Sequence, residues 1–195
     1  MKLPSIRTLR TYHRITEVGD IVRRYFALNA FDGVITIIGV LVGSFFGNIR
    51  NVDAVITVGL ATSFAMGVSG FYGAYMSERA ERRRELAEME ESTLSSLKDT
   101  DISSAATYAT IVVSLVNGVS PSTAAVLTLI PFFLVSLITI EVAYYAAFAI
   151  ALAELFGVGI YLGTISRERL IFSGLKMIVI GVLIAVVGYL LGGNS

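Results

Sequence analysis

The stretch Gly67–Glu91, GVSGFYGAYMSERAERRRELAEMEE, decides how this chain is organised. Its first half is apolar and rich in glycine, a composition typical of helices that cross a membrane. Its second half is dense in glutamate and arginine, and no proline separates the two halves. We therefore expect a membrane-spanning helix that runs on, without a break, into a charged helix in water.

The composition of the whole chain agrees with a membrane protein. Of its 195 residues, 55% are hydrophobic and only 15% are charged, and the mean hydropathy is +0.76. A soluble domain has about a quarter of its residues charged. There is no cysteine and one histidine, His13, which excludes cysteine-based zinc and iron–sulfur sites and any histidine cluster. The fold class predicted is an all-α integral membrane protein.

Five apolar runs supply the roughly 20 residues that a spanning helix needs. They are Tyr25–Gly47, Ala54–Met76, Pro121–Ile138, Thr139–Thr164 and Ile171–Leu191. Another apolar run, Ala105–Asn117, is too short to span alone. The sequence Asn-Gly-Val-Ser-Pro at 117–121 predicts a helix end and a new start, residues 92–104 are expected to form a loop, and Pro131 predicts a kink.

These runs divide the chain into four segments. They are a basic amphipathic segment at 1–24, two spans within 25–77, a cytoplasmic helical region, acidic and then apolar, at 78–120, and three spans within 121–195. With five spans, 14 of the 15 Lys and Arg residues lie on one side. The positive-inside rule makes that side cytoplasmic, so the N-terminus is predicted inside and the C-terminus outside. Segment 1–24 is expected to lie on an anionic leaflet, the alternative being a solvated tail.

One face of the first span combines an acid with small residues. Asp32, Thr36, Gly39, Gly43 and Gly47 share this face at about 100° per residue. A carboxylate inside a bilayer costs at least about 2.5 kcal/mol and is retained for a role or a partner. The three glycines repeat every four residues, a spacing that lets another helix pack closely. We predict a cation or proton site at a helix interface, or else a structural hydrogen bond between helices.

Two further sets of acids are candidates. Glu154 lies deep within the fourth span, although nearby basic residues could draw it toward the interface. Beyond the second span, four glutamates follow at intervals of three, four and three residues and share one helix face: Glu78, Glu81, Glu85 and Glu88. Oxygen ligands on one face suit hard divalent cations. Alternatively, the glutamates pair with the arginines between them. We find no enzyme motif and no nucleic-acid-binding pattern.

Several short motifs in this sequence resemble those of the vacuolar iron transporters, which are five-span membrane proteins. Residues 73–91 are similar to the family's small-x-Tyr-x-Ser…Glu signature, and Asp32-Gly33 resembles its Asp-Gly motif. Pro121 with Ala124-Ala125, and Pro131-Phe-Phe, are similar to its third span. The resemblance covers nearly the whole chain from Asp32 onward.

The resemblance implies a homodimer that exports Fe²⁺ or Mn²⁺ from the cytosol in exchange for protons. The metal is the substrate, and no permanently bound cofactor is expected. Asp32 would lie on the path, with Thr36, Thr62 and Glu154 as further path residues. Glu81, Glu85, Glu88 and Glu91 would collect the metal. The membrane would be the cell membrane in a prokaryote or a vacuole-type membrane in a eukaryote.

Two positions depart from the family's pattern. Many members carry a glutamate where this chain has Thr62, and a methionine where it has Gly70. These departures keep open an alternative function, a membrane scaffold or assembly protein that retains the fold and does not transport.

Overall fold

The computed structural model describes residues 11–13, 16, 18–98 and 100–192 of the chain. Over these residues the chain forms the following elements: α1 Val18–Phe46, α2 Val52–Thr93, α3 Asp101–Leu129, a 3-10 helix Ile130–Leu134, α4 Ile140–Ser166 and α5 Leu170–Gly192. Five stretches are long and apolar enough to cross a membrane. The predicted all-α, five-span fold is therefore confirmed. Most of the basic segment 1–24 lies outside the described residues.

The second helix is much longer than a bilayer requires. α2 has 42 residues, which at 1.5 Å per residue is about 63 Å, twice the roughly 30 Å of the hydrocarbon core. The expected continuity of Gly67–Glu91 is confirmed, because this whole stretch lies within one helix. The helix is thus longer than the hydrocarbon core, and its charged half continues the apolar half without a break.

The third helix contradicts the predicted stop at 117–121. α3 continues from Asp101 to Leu129 with Pro121 inside it, and the expected loop at 92–104 is shorter, because α2 ends at Thr93 and α3 begins at Asp101. No described glycine takes a positive φ, so Gly118 does not end the helix in the usual left-handed way. Transmembrane helices tolerate proline because neighbouring helices satisfy the freed backbone groups.

At Pro131, where the sequence predicts a kink, the structure shows a change of helix type. The α-helical part of the third span ends at Leu129, and Pro131 occupies the first turn of the 3-10 helix. Because proline lacks an N–H and crowds the preceding turn, the regular α-helix cannot continue through it.

The chain forms two compact units. The first comprises residues 1–26 and 68–119, and the second comprises residues 27–67 and 120–195. Among the described residues, Val18, Ala109 and Val113 form the buried centre of the first unit. The second unit is centred on Tyr144, which is fully buried and contacts the Phe132 ring edge-on at 4.9 Å. Tyr144 also donates its hydroxyl to the backbone carbonyl of Ile49 at 3.0 Å. The buried side chain therefore has both an aromatic contact for its ring and a hydrogen-bond partner for its hydroxyl.

The last two helices form a close antiparallel pair within the second unit. α4 ends on Arg167, whose φ of 57° is left-handed, and the Arg167 N–H bonds the Gly163 carbonyl. A Cβ added at Gly159 would lie 2.6 Å from the backbone of Gly174. Glycine at this crossing lets the two backbones touch, as small residues do between membrane helices.

Candidate functional site

Asp32 lies on the outer side of the second unit. Its side chain is exposed, whereas the adjacent Gly33 and Val34 are buried. A Cβ added at Gly33 would lie 2.3 Å from the backbone oxygen of Pro121, so only glycine permits this contact between α1 and α3. Contact at Gly33 sets the rotation of α1 about its axis, and the preceding residue, Asp32, consequently points away from the core of the second unit.

The other members of the predicted face are exposed as well. Thr36, Gly39, Gly43 and Gly47 all lie open, and a Cβ added at Gly39 or Gly43 would meet no atom within 4 Å. No described part of the chain therefore packs against the central glycines of this face. The helix packing predicted for Gly39, Gly43 and Gly47 has no partner within the described residues, and a partner would have to come from outside the chain.

Thr62 lies on α2 in the same unit and is partly exposed. Its hydroxyl donates to the Val58 carbonyl at 2.8 Å, so its oxygen retains lone pairs that could face an ion. The neighbouring Ser63 is buried, and its backbone carbonyl accepts a hydrogen bond from the Ser122 hydroxyl at 2.9 Å. That bond ties α2 to α3 one residue away from Thr62.

Glu154 is a partly buried carboxyl with one satisfied oxygen. Thr128 of α3 donates its hydroxyl to Glu154 Oε2 at 3.0 Å. The other oxygen, Oε1, is buried and has no hydrogen-bond partner, and no ion pair among the described residues includes Glu154. A carboxylate held this way lacks the compensation that a buried charge needs, whereas the protonated acid is neutral. The sequence did not identify Thr128, because α3 and α4 become neighbours only in the fold.

An ion pair connects the first turn of α4 to the turn that follows α1. Arg50 Nη1 lies 2.9 Å from Glu141 Oε1, so the turn after α1 and the start of α4 lie together. Arg50 is the basic residue that the charge count separates from the other 14. In a five-span arrangement, the end of α1 and the start of α4 lie on the same side of the membrane. Glu141 has a structural partner here.

The charged half of α2 holds its glutamates in ion pairs with arginines. Arg82 lies 3.8 Å from Glu78 and 2.9 Å from Glu85. On the next face, Arg84 lies 2.6 Å from Glu81 and 3.6 Å from Glu88. The described residues contain no group of three or more His, Asp or Glu side chains placed to hold a metal ion. The alternative of intrahelical pairing therefore describes the arrangement of these four glutamates within the single chain.

The last two acids of the helix differ from each other. Glu90 accepts a 2.6 Å hydrogen bond from the backbone N–H of Leu97 and so closes the loop after α2. Glu91 is exposed and belongs to no ion pair among the described residues. Of the predicted metal collectors, only Glu91 is thus unpaired.

One departure from the family's pattern has a structural cause. A Cβ added at Gly70 would lie 2.4 Å from the backbone oxygen of Asn117. α2 and α3 approach so closely at this point of the first unit that a methionine would require the helices to separate. Glycine at position 70 is accordingly a packing residue. No local signal in the sequence could have found it, because Asn117 is distant along the chain.

Comparisons with known proteins agree with the motifs. The sequence model of the VIT family matches residues 24–106, which hold α1, α2 and the charged extension. An uncharacterized protein of Methanocaldococcus jannaschii is 31% identical over 176 residues, covering 89% of this chain and 90% of that protein. No solved structure matches the chain. With five apolar helices, the Asp32-Gly33 pair at its close contact and this match across the first two spans, the chain belongs to the VIT family, the vacuolar iron transporters that its motifs resemble.

Proposed function

We propose that this protein exports a divalent metal ion, Fe²⁺ or Mn²⁺, from the cytosol in exchange for protons, and that it works as a homodimer. Membership of the VIT family supports transport of metal ions across a membrane. The substrate is the metal itself, and the chain needs no permanently bound cofactor.

The exposure of Asp32 is the observation that carries the proposal. The carboxyl group of Asp32, in the first span, is open on the surface of the single chain, and no ion pair among the described residues includes it. Facing lipid, it would cost at least about 2.5 kcal/mol. A cation, a proton or a covering protein surface removes that cost, and Asp32 is the residue to which we assign the transported ion.

The homodimer follows from the face around Asp32. Thr36 and the open glycines at 39 and 43 form a smooth, weakly polar surface that nothing in the described chain covers. If a second copy packs on this face, two Asp32 carboxylates and two Thr36 hydroxyls come to line one path. Oxygen ligands of this kind suit a hard divalent ion, and Thr62 would add a further hydroxyl.

Glu154 is assigned the proton rather than the metal. One of its oxygens is held by Thr128 and the other is buried without a partner. A group that has a single neutral donor, and that belongs to no ion pair among the described residues, can change its protonation without rearranging an ion pair. Intramembrane acids of this type are typical of proton relays.

The glutamates of the charged helix are assigned the capture of metal from the cytosol. Glu81 and Glu88 are both paired with Arg84, and all three side chains are at least half exposed. Exposed pairs contribute about 1 kcal/mol or less, so a divalent ion could displace the arginine. Glu91 is open already. Glu78 and Glu85 share the less exposed Arg82, and we give them the lesser part in capture.

The direction of transport rests on the charge distribution. With the charged half of α2 and most basic residues on the cytoplasmic side, the capture glutamates face the cytosol, the N-terminus lies inside and the C-terminus lies outside.

Flux into proteoliposomes tests the proposal. Asp32→Asn should abolish uptake of Mn²⁺ driven by a pH gradient while leaving the protein monodisperse. The matched control is Asp53→Asn, which removes an exposed carboxylate at the start of α2 and should leave flux unchanged. Undiminished flux in Asp32→Asn would refute the assignment of the ion to Asp32.

A scaffold function is the second candidate, and the ion pairs along α2 favour it. If the chain does not transport, its glutamates need not release their arginines. Calorimetry separates the two functions. A transporter should bind Mn²⁺ or Fe²⁺, with weaker binding after Glu81→Ala and Glu88→Ala together. Absence of heat at millimolar metal would support the scaffold.

A further inference from the structure

A cavity of about 300 Å³ lies within the first compact unit, between the charged half of α2 and the first turns of α3. Its lining includes Tyr75, Arg79, Arg82, Arg83, Ser103 and Thr107. None of the described residues that line it is acidic. The volume is at the lower end of the range for small-molecule sites, and three guanidinium groups facing one space indicate an anionic occupant.

The charges of this cavity are not all compensated. Arg82 is paired with Glu78 and Glu85. In contrast, Arg79 and Arg83 enter no ion pair among the residues that the structure describes. Two positive charges thus remain at the cavity without a negative partner. Like charges so close together repel, and a bound anion would relieve that repulsion.

Individual donors at the cavity are also unused. The Nε of Arg82 is buried and makes no hydrogen bond, because its nearest carboxylate oxygen, on Glu78, lies 3.8 Å away, and a donor without a hydrogen bond costs free energy. Arg79 is held with its guanidinium 5.7 Å from the centre of the Tyr75 ring, which orients its donors. The Thr107 hydroxyl already donates to the Ser103 carbonyl. The donors available to a ligand are therefore mainly those of the arginines.

The position of the cavity along α2 narrows the choice of anion. The apolar run of α2 ends at Met76, and Arg79 to Arg83 follow three to seven residues later, about 5–10 Å along the helix. The headgroup layer is roughly 5–7 Å deep on each side of the hydrocarbon core. If the apolar run of α2 ends at the edge of the hydrocarbon core, Arg79 lies at the depth of the lipid phosphates and Arg82 and Arg83 lie just outside them. Guanidinium forks match the several acceptor oxygens of a phosphate group.

We propose that this cavity, lined by Arg79, Arg82 and Arg83, binds a phosphate group, carried either by an anionic phospholipid headgroup or by a soluble phosphate compound. Arg82 of the cavity is also paired with Glu78 and Glu85, but the proposal does not rest on Asp32 or on metal capture, so it stands whether or not the protein transports metal. Its occupant would neutralise the cavity and hold the start of α3 against the charged part of α2.

Thermal stability of the full-length protein in a neutral detergent tests the site and distinguishes its two sources. Three ligands are titrated at matched ionic strength: inorganic phosphate, short-chain phosphatidylglycerol and short-chain phosphatidylcholine. Saturable stabilisation by phosphatidylglycerol alone identifies a lipid headgroup. Saturable stabilisation by inorganic phosphate identifies a soluble source as well or instead. The proposal is overturned if neither inorganic phosphate nor phosphatidylglycerol gives a saturable response, or if the zwitterionic phosphatidylcholine gives an equal response.

Variants connect the response to the cavity. Arg79→Gln with Arg83→Gln should raise the half-saturating concentration roughly 25-fold, about fivefold for each arginine near an anionic group. The control is Arg84→Gln, which removes the same charge from the same helix at a residue outside the cavity and should leave the concentration unchanged. If the double variant does not remain monodisperse, each single variant is expected to show the fivefold change. An equal loss in Arg84→Gln and in the cavity variants would contradict the site.

Discussion

Replacing Gly33 by alanine should separate α1 from α3 and destabilise the protein. The added Cβ would lie 2.3 Å from the Pro121 carbonyl oxygen and 2.7 Å from the Pro121 Cα. Ordinary van der Waals contact begins at 3.4 Å, so the two backbones must move apart by about 1 Å. Since both partners are backbone, no side-chain rotation can absorb the change. Overpacking of this kind costs about 1–3 kcal/mol.

Gly39→Ala in the same helix is the matched control. Its Cβ meets nothing within 4 Å, and the exchange improves helix propensity by up to about 1 kcal/mol. Heating of monomeric, detergent-solubilised protein should lower the midpoint of Gly33→Ala by roughly 2–12 °C, while Gly39→Ala is unchanged or slightly higher. Equal midpoints for the two variants would show that Gly33 is not in tight contact with Pro121, and the placement of Asp32 that follows from this contact would fall with it.

Two other changes test separate parts of the molecule. Glu154→Gln preserves an acceptor for the Thr128 hydroxyl and removes the titrating proton. Mn²⁺ flux in proteoliposomes should therefore lose its dependence on the pH gradient. Retention of the wild-type dependence would exclude Glu154 as the proton carrier. Leu94→Gly should raise the midpoint of thermal unfolding. Leu94 is 92% exposed and has a φ of 51°, a left-handed conformation that costs a non-glycine residue about 1–2 kcal/mol. A lower midpoint would mean that the Leu94 side chain stabilises the loop.

The spans could be predicted because hydropathy and helical periodicity are local properties. A run such as Ile171–Leu191 is apolar at nearly every position, and its length alone indicates a spanning helix. The predicted helix end at residues 117–121 was wrong because a local sequence signal there competes with packing between helices. Asn117 to Pro121 reads as a helix end, yet Gly70 packs against Asn117 in the first unit and Gly33 packs against Pro121 in the second. At both positions the glycine belongs to another helix, so the contact is invisible in the local sequence.

For the candidate site residues, the sequence predicted which of them share a helix face but not which other side chains they contact. Helical spacing placed Asp32, Thr36, Gly39 and Gly43 on one face, and the structure leaves all four exposed together. Spacing also placed four glutamates on one face of α2, but it could not decide between metal capture and pairing with arginine. The side-chain contacts of Arg82 and Arg84 describe pairing in the single chain.

The sequence by itself determined five membrane helices, the uninterrupted helix from Gly67 to Glu91 and the acid on the small-residue face of α1. Those features depend on composition and on the 3.6-residue period, which neighbouring residues define. Only the tertiary structure decided that α3 continues through Pro121, that Thr128 holds Glu154, and that the arginines of α2 line a cavity against α3. Each of these requires two helices to be side by side, and helix neighbours are set by packing between residues far apart along the chain.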